Sequence, residues 1–345
     1  MNKIVDKAAH YLEKKQPFAL FVKPNETSVK GYFQKDNLLH TVDNFDVEGF
    51  VFTSFNQEEK YLFSAKNCEI IQENYLDNYD YKFDNQIFEY NTIDKIYFEK
   101  LVKKALENIQ NNNFTKVVLS RNEIVKTESF DVLVAFQKIL HLYKNTFRYV
   151  WYHPLVGLWM GATPELLCKI EDNHLQTVSL AGTQPKTENP VWKAKEIEEQ
   201  QIVTQYITEK LATFSEKVTY TEPQTIQAGA ILHLKTYISA VLNPTSTLSN
   251  IVDVLHPTPA VCGFPTYLAQ KFIQENEGYN RTFYTGFLGE ISAKNTAEFY
   301  VNLRCLEVLT DAVKLYVGCG ITADSNPELE FLETHNKSLT LKKIL

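Results

Sequence analysis

The sequence has no excess of positive charge, no long apolar run, no paired cysteines and no low-complexity tract. Its 35 Lys and Arg against 42 Asp and Glu leave a net charge of -7, which argues against a nucleic-acid binder, whose contact face is normally basic. An anionic small substrate stays open, because a local cationic pocket or a metal ion can overrule the global field. No stretch of eighteen apolar residues occurs, so no membrane span is expected. Met1–Lys15 is charged throughout and lacks the apolar core of a signal peptide. The five cysteines (Cys68, Cys168, Cys262, Cys305, Cys319) form no CxxC pair and are odd in number. They predict neither a disulfide framework nor a zinc site, and a reducing cytoplasmic setting fits them best. Glycine and proline number only 12 each, which speaks against a disordered or fibrous chain.

What is present is enough for a large core: 345 residues, 44% apolar and 13% aromatic, room for two average domains or one large one. The first ninety residues read as a short helix followed by strands at Pro17–Lys23, Val29–Gln34, Phe50–Phe55 and Lys60–Ala65. Asn74–Asn91 reads as a loop. Thr92–Asn111 has helical periodicity through Ile93, Ile96, Tyr97, Leu101, Leu106 and Ile109, with Asn91 as N-cap. Beyond it come a strand at Lys116–Val125 and a helix at Asp131–Tyr143. Strands are predicted at Tyr149–Tyr152, Gly157–Met160, Leu167–Ile170 and Leu175–Leu180. Pro190–Phe214 reads as a long helix opened by proline. Late strands span about Phe283–Ile291, Thr296–Leu309 and Val313–Ile321, before a helix opening at Asn326-Pro327. The absence of a βαβ rhythm predicts an α+β fold with extensive antiparallel sheet.

Two carboxylate pairs stand out. Glu196 and Glu199 lie three apart on the long helix, and Glu330 and Glu333 lie three apart on the last. Residues at i and i+3 share a face, so each pair repels unless a cation intervenes. Two such helices facing each other would make an all-oxygen cage suited to Mg²⁺, which keeps waters and takes few carboxylates directly. Acidic residues also complement the helix dipole in early turns, and that alone could explain Glu330 and Glu333.

From about Phe114 onward, a series of blocks occurs in order. They begin with Lys116-Val-Val-Leu-Ser-Arg121, Gly161-Ala-Thr-Pro-Glu-Leu-Leu167 and Leu180-Ala-Gly-Thr183. Glu199-Gln-Gln-Ile-Val203, His256-Pro-Thr-Pro-Ala-Val-Cys-Gly263 and Arg281-Thr-Phe-Tyr-Thr-Gly286 follow. Val301-Asn-Leu-Arg304, Gly318-Cys-Gly-Ile321 and Glu330-Phe-Leu-Glu-Thr-His-Asn-Lys337 complete the series. Together they resemble the chorismate-binding enzymes, a family that includes anthranilate, aminodeoxychorismate, salicylate and isochorismate synthases. The resemblance implies one large α+β domain over residues 1–345, with two packed, mainly antiparallel sheets and helices outside. Residues 1–91 carry no motif and join that domain by analogy alone. It implies that Glu199 and Glu333 bind Mg²⁺ directly, with Glu196 and Glu330 in support. The family often has Glu-His where this chain has Glu199-Gln200.

Within the family, isochorismate formation needs a base for water, an acid for the departing 4-hydroxyl and a cation for the ring carboxylate. Each acid–base group contributes roughly 10²–10⁴ in rate. Lys116 is the expected base, at a position that is Lys in water-using members and typically Gln in ammonia-using ones. It must be largely neutral to serve, and its bland rival is a strand-edge Lys reaching solvent. Glu165 is the expected acid and must hold a proton near neutral pH, which requires an apolar setting. Its rival is a first-turn helical Glu after Pro164. Ser179-Leu180 before the Ala-Gly-Thr segment, and Ala181 where aminodeoxychorismate synthases often carry Lys, favour isochorismate synthase. Salicylate synthase, an aminating enzyme and an inactive chorismate-binding homologue remain alternatives.

Arg304 is expected to clamp a substrate carboxylate, against a buried structural ion pair. Tyr284 and Lys337 have similar readings, although Lys337 could simply pair with Glu333 one turn away. Gly318 and Gly320 could offer backbone N–H groups, or merely make a turn. Thr183 could donate a hydroxyl, and His233 could touch substrate. The tryptophans and Arg281 read as structural. The family suggests a monomer without an obligatory protein partner, and menaquinone synthesis ahead of catechol siderophores as the pathway supplied.

Overall fold

The four N-terminal strands expected from the sequence form, and a fifth that was not expected follows them at Cys68–Asn74. In this computed structural model, residues 2–75, 89–127, 129–228, 231–293 and 296–345 are described, so most of the expected Asn74–Asn91 loop lies outside the described residues. Helix α1 (Asn2–Glu13) precedes β1 (Phe18–Val22), β2 (Ser28–Gln34), β3 (Gly49–Thr53), β4 (Lys60–Ser64) and β5 (Cys68–Asn74). Then come α2 (Thr92–Gln110), β6 (Lys116–Lys126) and α3 (Val132–Leu142). Strands β7 (Phe147–His153), β8 (Gly157–Thr163), β9 (Leu166–Glu171) and β10 (His174–Pro185) lead to α4 (Ala194–Ala212). Next are β11 (Ser215–Tyr220), β12 (Gln224–Ala228), β13 (Ile231–Leu242), α5 (Leu248–Leu255), β14 (Gly263–Phe264) and α6 (Thr266–Asn276). The chain closes with β15 (Phe287–Ala293), β16 (Thr296–Val301), β17 (Cys305–Val308), β18 (Ala312–Ile321) and α7 (Pro327–Lys342).

Helix starts follow cap chemistry. Asn91 accepts from Ile93 N, Asp131 from Leu133 N and Val134 N, and Asn326 from Glu328 N and Leu329 N, each satisfying donors left open by the first turn. Helix α4 starts at Ala194, later than Pro190. Its cap comes from inside: Lys193 N–H donates to Glu196 Oε2 at 3.0 Å. In α2 the expected helix forms but its buried face is turned. Phe98, Val102, Ala105 and Ile109 are buried, whereas Ile93 and Tyr97 are 61% and 70% exposed.

Two antiparallel sheets organise the molecule. One runs β14-β6-β18-β17-β8-β7-β1-β2-β5, and the other β11-β13-β10-β9-β16-β15-β3-β4 with β12 also on β13. Strands from the first 75 residues complete both. Between the sheets lies an aromatic core that includes Phe21, Phe52, Trp151, Trp159, Phe283 and Tyr316. Burying each such side chain is worth about 1.5–3 kcal/mol. Helices α4 and α5 cover the outer face of the second sheet, and α1 and α3 that of the first. Helix α2 packs on α7 near β6 and β18.

The expected strand at Thr296–Leu309 is two strands in different sheets. The chain crosses between them at Val301–Cys305, where Arg304 takes φ 47°. Arg304 therefore sits on a turn between sheets, not within an apolar strand. Likewise β15 begins only at Phe287, because Thr282 (φ 48°) and Thr285 (φ 61°) break the extended run before it. Among the described residues no helix is long and apolar enough to cross a membrane.

Candidate active site

One cleft, of about 870 Å³ counted to its open mouth, opens where the two sheets meet α4 and α7. Ten of the thirteen residues singled out from the sequence line it: Glu165, Thr183, Glu199, His233, Tyr284, Arg304, Gly318, Gly320, Glu333 and Lys337. Lys116, Glu196 and Glu330 do not.

Glu165 lies in the two-residue junction between β8 and β9, not in a helix, and is 5% exposed. Burial pushes its carboxyl up to about 7, against the pull of Lys116 and Lys337. Water solvates the carboxylate far better than the neutral acid, so exclusion of water favours the proton. This is the setting a general acid at neutral pH needs.

The carboxylate helices converge, and lysines stand among them. Lys116 is fully buried on β6, with Nζ 3.1 Å from Glu199 Oε1. It lies beneath Gly320 rather than at a strand edge or on the cleft wall: a Cβ at Gly320 would overlap Glu199 Oε1 and stand 3.2 Å from Lys116 Cε. Burial opposes the charge of Glu199, but Lys116 and Lys195 overcome it and hold its carboxyl below the usual range. Glu333 pairs with Lys337 at 2.7 Å, so the intrahelical bridge weighed against Lys337 does form, and Lys337 also donates to Gly318 O at 3.0 Å. Glu330, 2% exposed, pairs with Lys195 through Oε1, while its Oε2 has no hydrogen-bond partner. Burial and the like charge of Glu333 push its carboxyl up. Glu196 is spent on the α4 cap and backs Gly182.

Among the described residues no three His, Cys, Asp or Glu are grouped as a ready cation site. A magnesium site needs only one or two carboxylates, the remaining positions going to water and ligand oxygens. Glu199 and Glu333 on one cleft, with a Glu330 oxygen left unsatisfied three residues before Glu333, fit that requirement. Glu196 gives one carboxylate oxygen to its own helix start, which leaves only the other for a role through water.

The opposite walls supply donors and acceptors. His233 Nδ1 lies 3.1 Å from Gly182 O and 3.2 Å from Thr183 Oγ1. The carbonyl can only accept, so Nδ1 carries the proton and Nε2 is left as a bare acceptor without a partner. Burial, with Arg304 and Lys337 nearby, pushes this histidine down to about 3, keeping it neutral. Arg304 is half-buried and lines the cleft, and among the described residues its guanidinium has no carboxylate partner. The rival structural ion pair is therefore not formed there. Gly318 and Gly320 lie within β18, paired with Ser120 and Val118, and make no turn. Their value is bareness, since a Cβ at Gly318 would come within 2.9 Å of Tyr284 Oη. Arg304→Ala is expected to raise KM for an anionic substrate about 10–100-fold, the worth of a charged hydrogen-bond pair, with kcat changed less. Arg304→Lys should restore only part, lacking the planar fork. Steady-state kinetics showing an unchanged KM would remove the clamp.

One contributor, Lys195, was not singled out from the sequence, and another, Gln200, was noted only as a departure from the family pattern. Lys195 stands four residues before Glu199, and its i,i+4 spacing was the available signal. Gln200 replaces the family's frequent His. Its Oε1 accepts from Ala181 N at 2.8 Å, and its Nε2 donates to Ser179 O and Oγ and to Thr236 Oγ1. It ties α4, and so Glu199, to the β10 wall through an acceptor and two donors, more than an imidazole offers.

A family model described as "Chorismate binding enzyme" matches residues 50–345. The vibriobactin-specific isochorismate synthase of Vibrio cholerae serotype O1 is 29% identical over 258 residues, 71% of this chain and 65% of that relative. The match thus spans just under two thirds of that relative's length. Among solved structures, a Bacillus anthracis protein assigned as the 2,3-dihydroxybenzoate-specific isochorismate synthase DhbC superposes with a TM-score of 0.81. It is 24% identical, with 97% of this chain and 98% of that one covered. MenF, the menaquinone-specific isochorismate synthase of Escherichia coli, gives 0.80 at 20% identity, covering 95% and 88%. At these identities the structural likeness establishes the fold: α+β, two packed antiparallel sheets with helices outside.

Proposed function

Because the chain belongs to the chorismate-binding enzyme family, we propose that it is a magnesium-dependent isochorismate synthase. It would be an isomerase that adds water at C2 of chorismate as the 4-hydroxyl leaves. The observation that carries this reading is Glu165, a buried carboxyl titrating at about 7 in the same cleft as a guanidinium with no carboxylate partner among the described residues.

Chorismate is a dianion. Arg304 offers a planar fork to one carboxylate. Glu199 and Glu333 would hold magnesium, which would fix the ring carboxylate and offset its charge. His233, neutral and with Nε2 free to accept, takes a hydrogen bond from a substrate hydroxyl and orients the ring, with Thr183 beside it. Lys116, behind the bare floor at Gly320, pairs with Glu199 as an ammonium in the free site; it would shed that proton to solvent once a cation takes over Glu199, and as the neutral amine it takes the proton from the attacking water as the C2–O bond forms. Both ring double bonds shift one position, the C4–O bond breaks, and Glu165 protonates the departing oxygen as water. The Lys116 proton returns to Glu165 through solvent, closing the cycle without net gain or loss.

Chromatography of the products from purified protein, chorismate and MgCl₂ tests the proposal. Isochorismate alone is expected, with turnover stopped by EDTA and restored by Mg²⁺. Salicylate with pyruvate would reassign the protein as a salicylate synthase, and an amino product with ammonia as an aminating enzyme. Turnover that persists in EDTA would remove the metal, and no turnover would leave a binding protein.

A further inference from the structure

We infer that Lys195 is a tethered competitor for the divalent cation between α4 and α7, pinning the two helices until the ion displaces it; this rests on the reading that these glutamates bind magnesium. Lys195 is the second residue of α4, and its ammonium pairs with Glu330 Oε1 on α7. It thus joins the two helices, whereas Lys116 reaches α4 from β6 and Lys337 links α7 to β18. The side chain is only 19% exposed. Burial works against its charge, but Glu330, and further off Glu199 and Glu333, hold it firmly protonated. One ammonium is therefore felt by three of the four carboxylates of the expected cage.

A second observation points to a ligand. Glu330 Oε2 is buried and makes no well-formed hydrogen bond; the Ser325 hydroxyl nearby eases its charge only in part, and a buried carboxylate oxygen left unsatisfied is costly. A monovalent ammonium satisfies one oxygen of this group, and a divalent ion with its waters would satisfy the other. The two cations repel within the same few ångströms, so binding one must loosen the other. Glu196, which the resemblance placed in this cage, is instead bound to its own helix start, and Lys195 occupies the space beside Glu330.

The sign of the effect separates this role from a merely structural one. Calorimetric titration of MgCl₂ into substrate-free wild-type protein and K195M is the test. K195M is expected to bind at least about tenfold more tightly. Its melting temperature in EDTA should be lower than that of wild type, and its gain on adding Mg²⁺ larger. Equal or weaker binding by K195M, with wild type binding normally, overturns the inference and leaves the metal reading intact. No Mg²⁺ binding by either protein removes both. Should K195M fail to fold, reductive methylation of wild type with peptide mass spectrometry decides. Labelling of Lys195 should rise several-fold with MgCl₂, and unchanged or reduced labelling overturns the inference.

Discussion

Glu165→Gln is expected to lower kcat on chorismate by about 10²–10⁴, the usual worth of a positioned acid, with KM within a few-fold of wild type. The variant keeps the shape and loses only the proton at the departing oxygen. In the wild type the acid must be protonated to act, and burial sets its titration at about 7. Activity should therefore fall above pH 7, and that limb should vanish in the Gln variant. Stability provides a second reading of the same group. Its folded-state pKa is raised above the ordinary 4.5, so the folded protein binds the proton more tightly between pH 4.5 and 7. The stabilisation is present in full below pH 4.5 and is lost as pH rises through 7, amounting to about 3 kcal/mol. Urea unfolding at pH 5 and pH 8 should show wild type losing stability relative to Glu165→Gln across that interval. A variant with wild-type turnover, or with parallel stability at both pH values, would falsify the assignment.

Much of this site could be read from the sequence because its parts are local in spacing. The pairs at 196/199 and 330/333 announce themselves by helical period, and α4 and α7 form where periodicity and the Asn326 cap place them. The neighbours that decide each carboxylate's state could not be read in this way. Whether Glu196 turns inward or caps its own helix depends on where α4 begins, and its start shifts from Pro190 to Ala194. Arg304 could be picked out as a candidate clamp, but its turn between two sheets could not, since a run of apolar residues looks alike in one strand or in two. The buried face of α2 was misplaced for a related reason. Ile93, Ile96 and Tyr97 are apolar enough to predict a core, yet Phe98, Val102 and Ala105 are the ones facing it. Lys116 is the base expected from the sequence, and period two gives its face but not its depth beneath Gly320.

That depth shapes the second large expected effect. Lys116→Ala should reduce kcat by about 10²–10⁴, and small primary amines in the buffer should restore part of it by filling the vacated space beneath Gly320. A buried lysine 3.1 Å from Glu199 also invites a purely structural account, in which its removal only strands a carboxylate at a cost of about 3–5 kcal/mol. The two accounts part at Lys116→Gln. An amide can donate a hydrogen bond to Glu199 and fills the space, so folding and Mg²⁺ binding should stay near wild type under either account. Only the proton-accepting role predicts that turnover nonetheless falls as far as in the Ala variant. A Gln variant that turns over chorismate to isochorismate at the wild-type rate would show that the water proton goes elsewhere. Glu199 itself, on the same face of the cleft and already ionised, would then be the group to test. Amine rescue gives the converse check: recovery that tracks the amine's pKa marks proton transfer, whereas recovery that tracks only its size marks repacking.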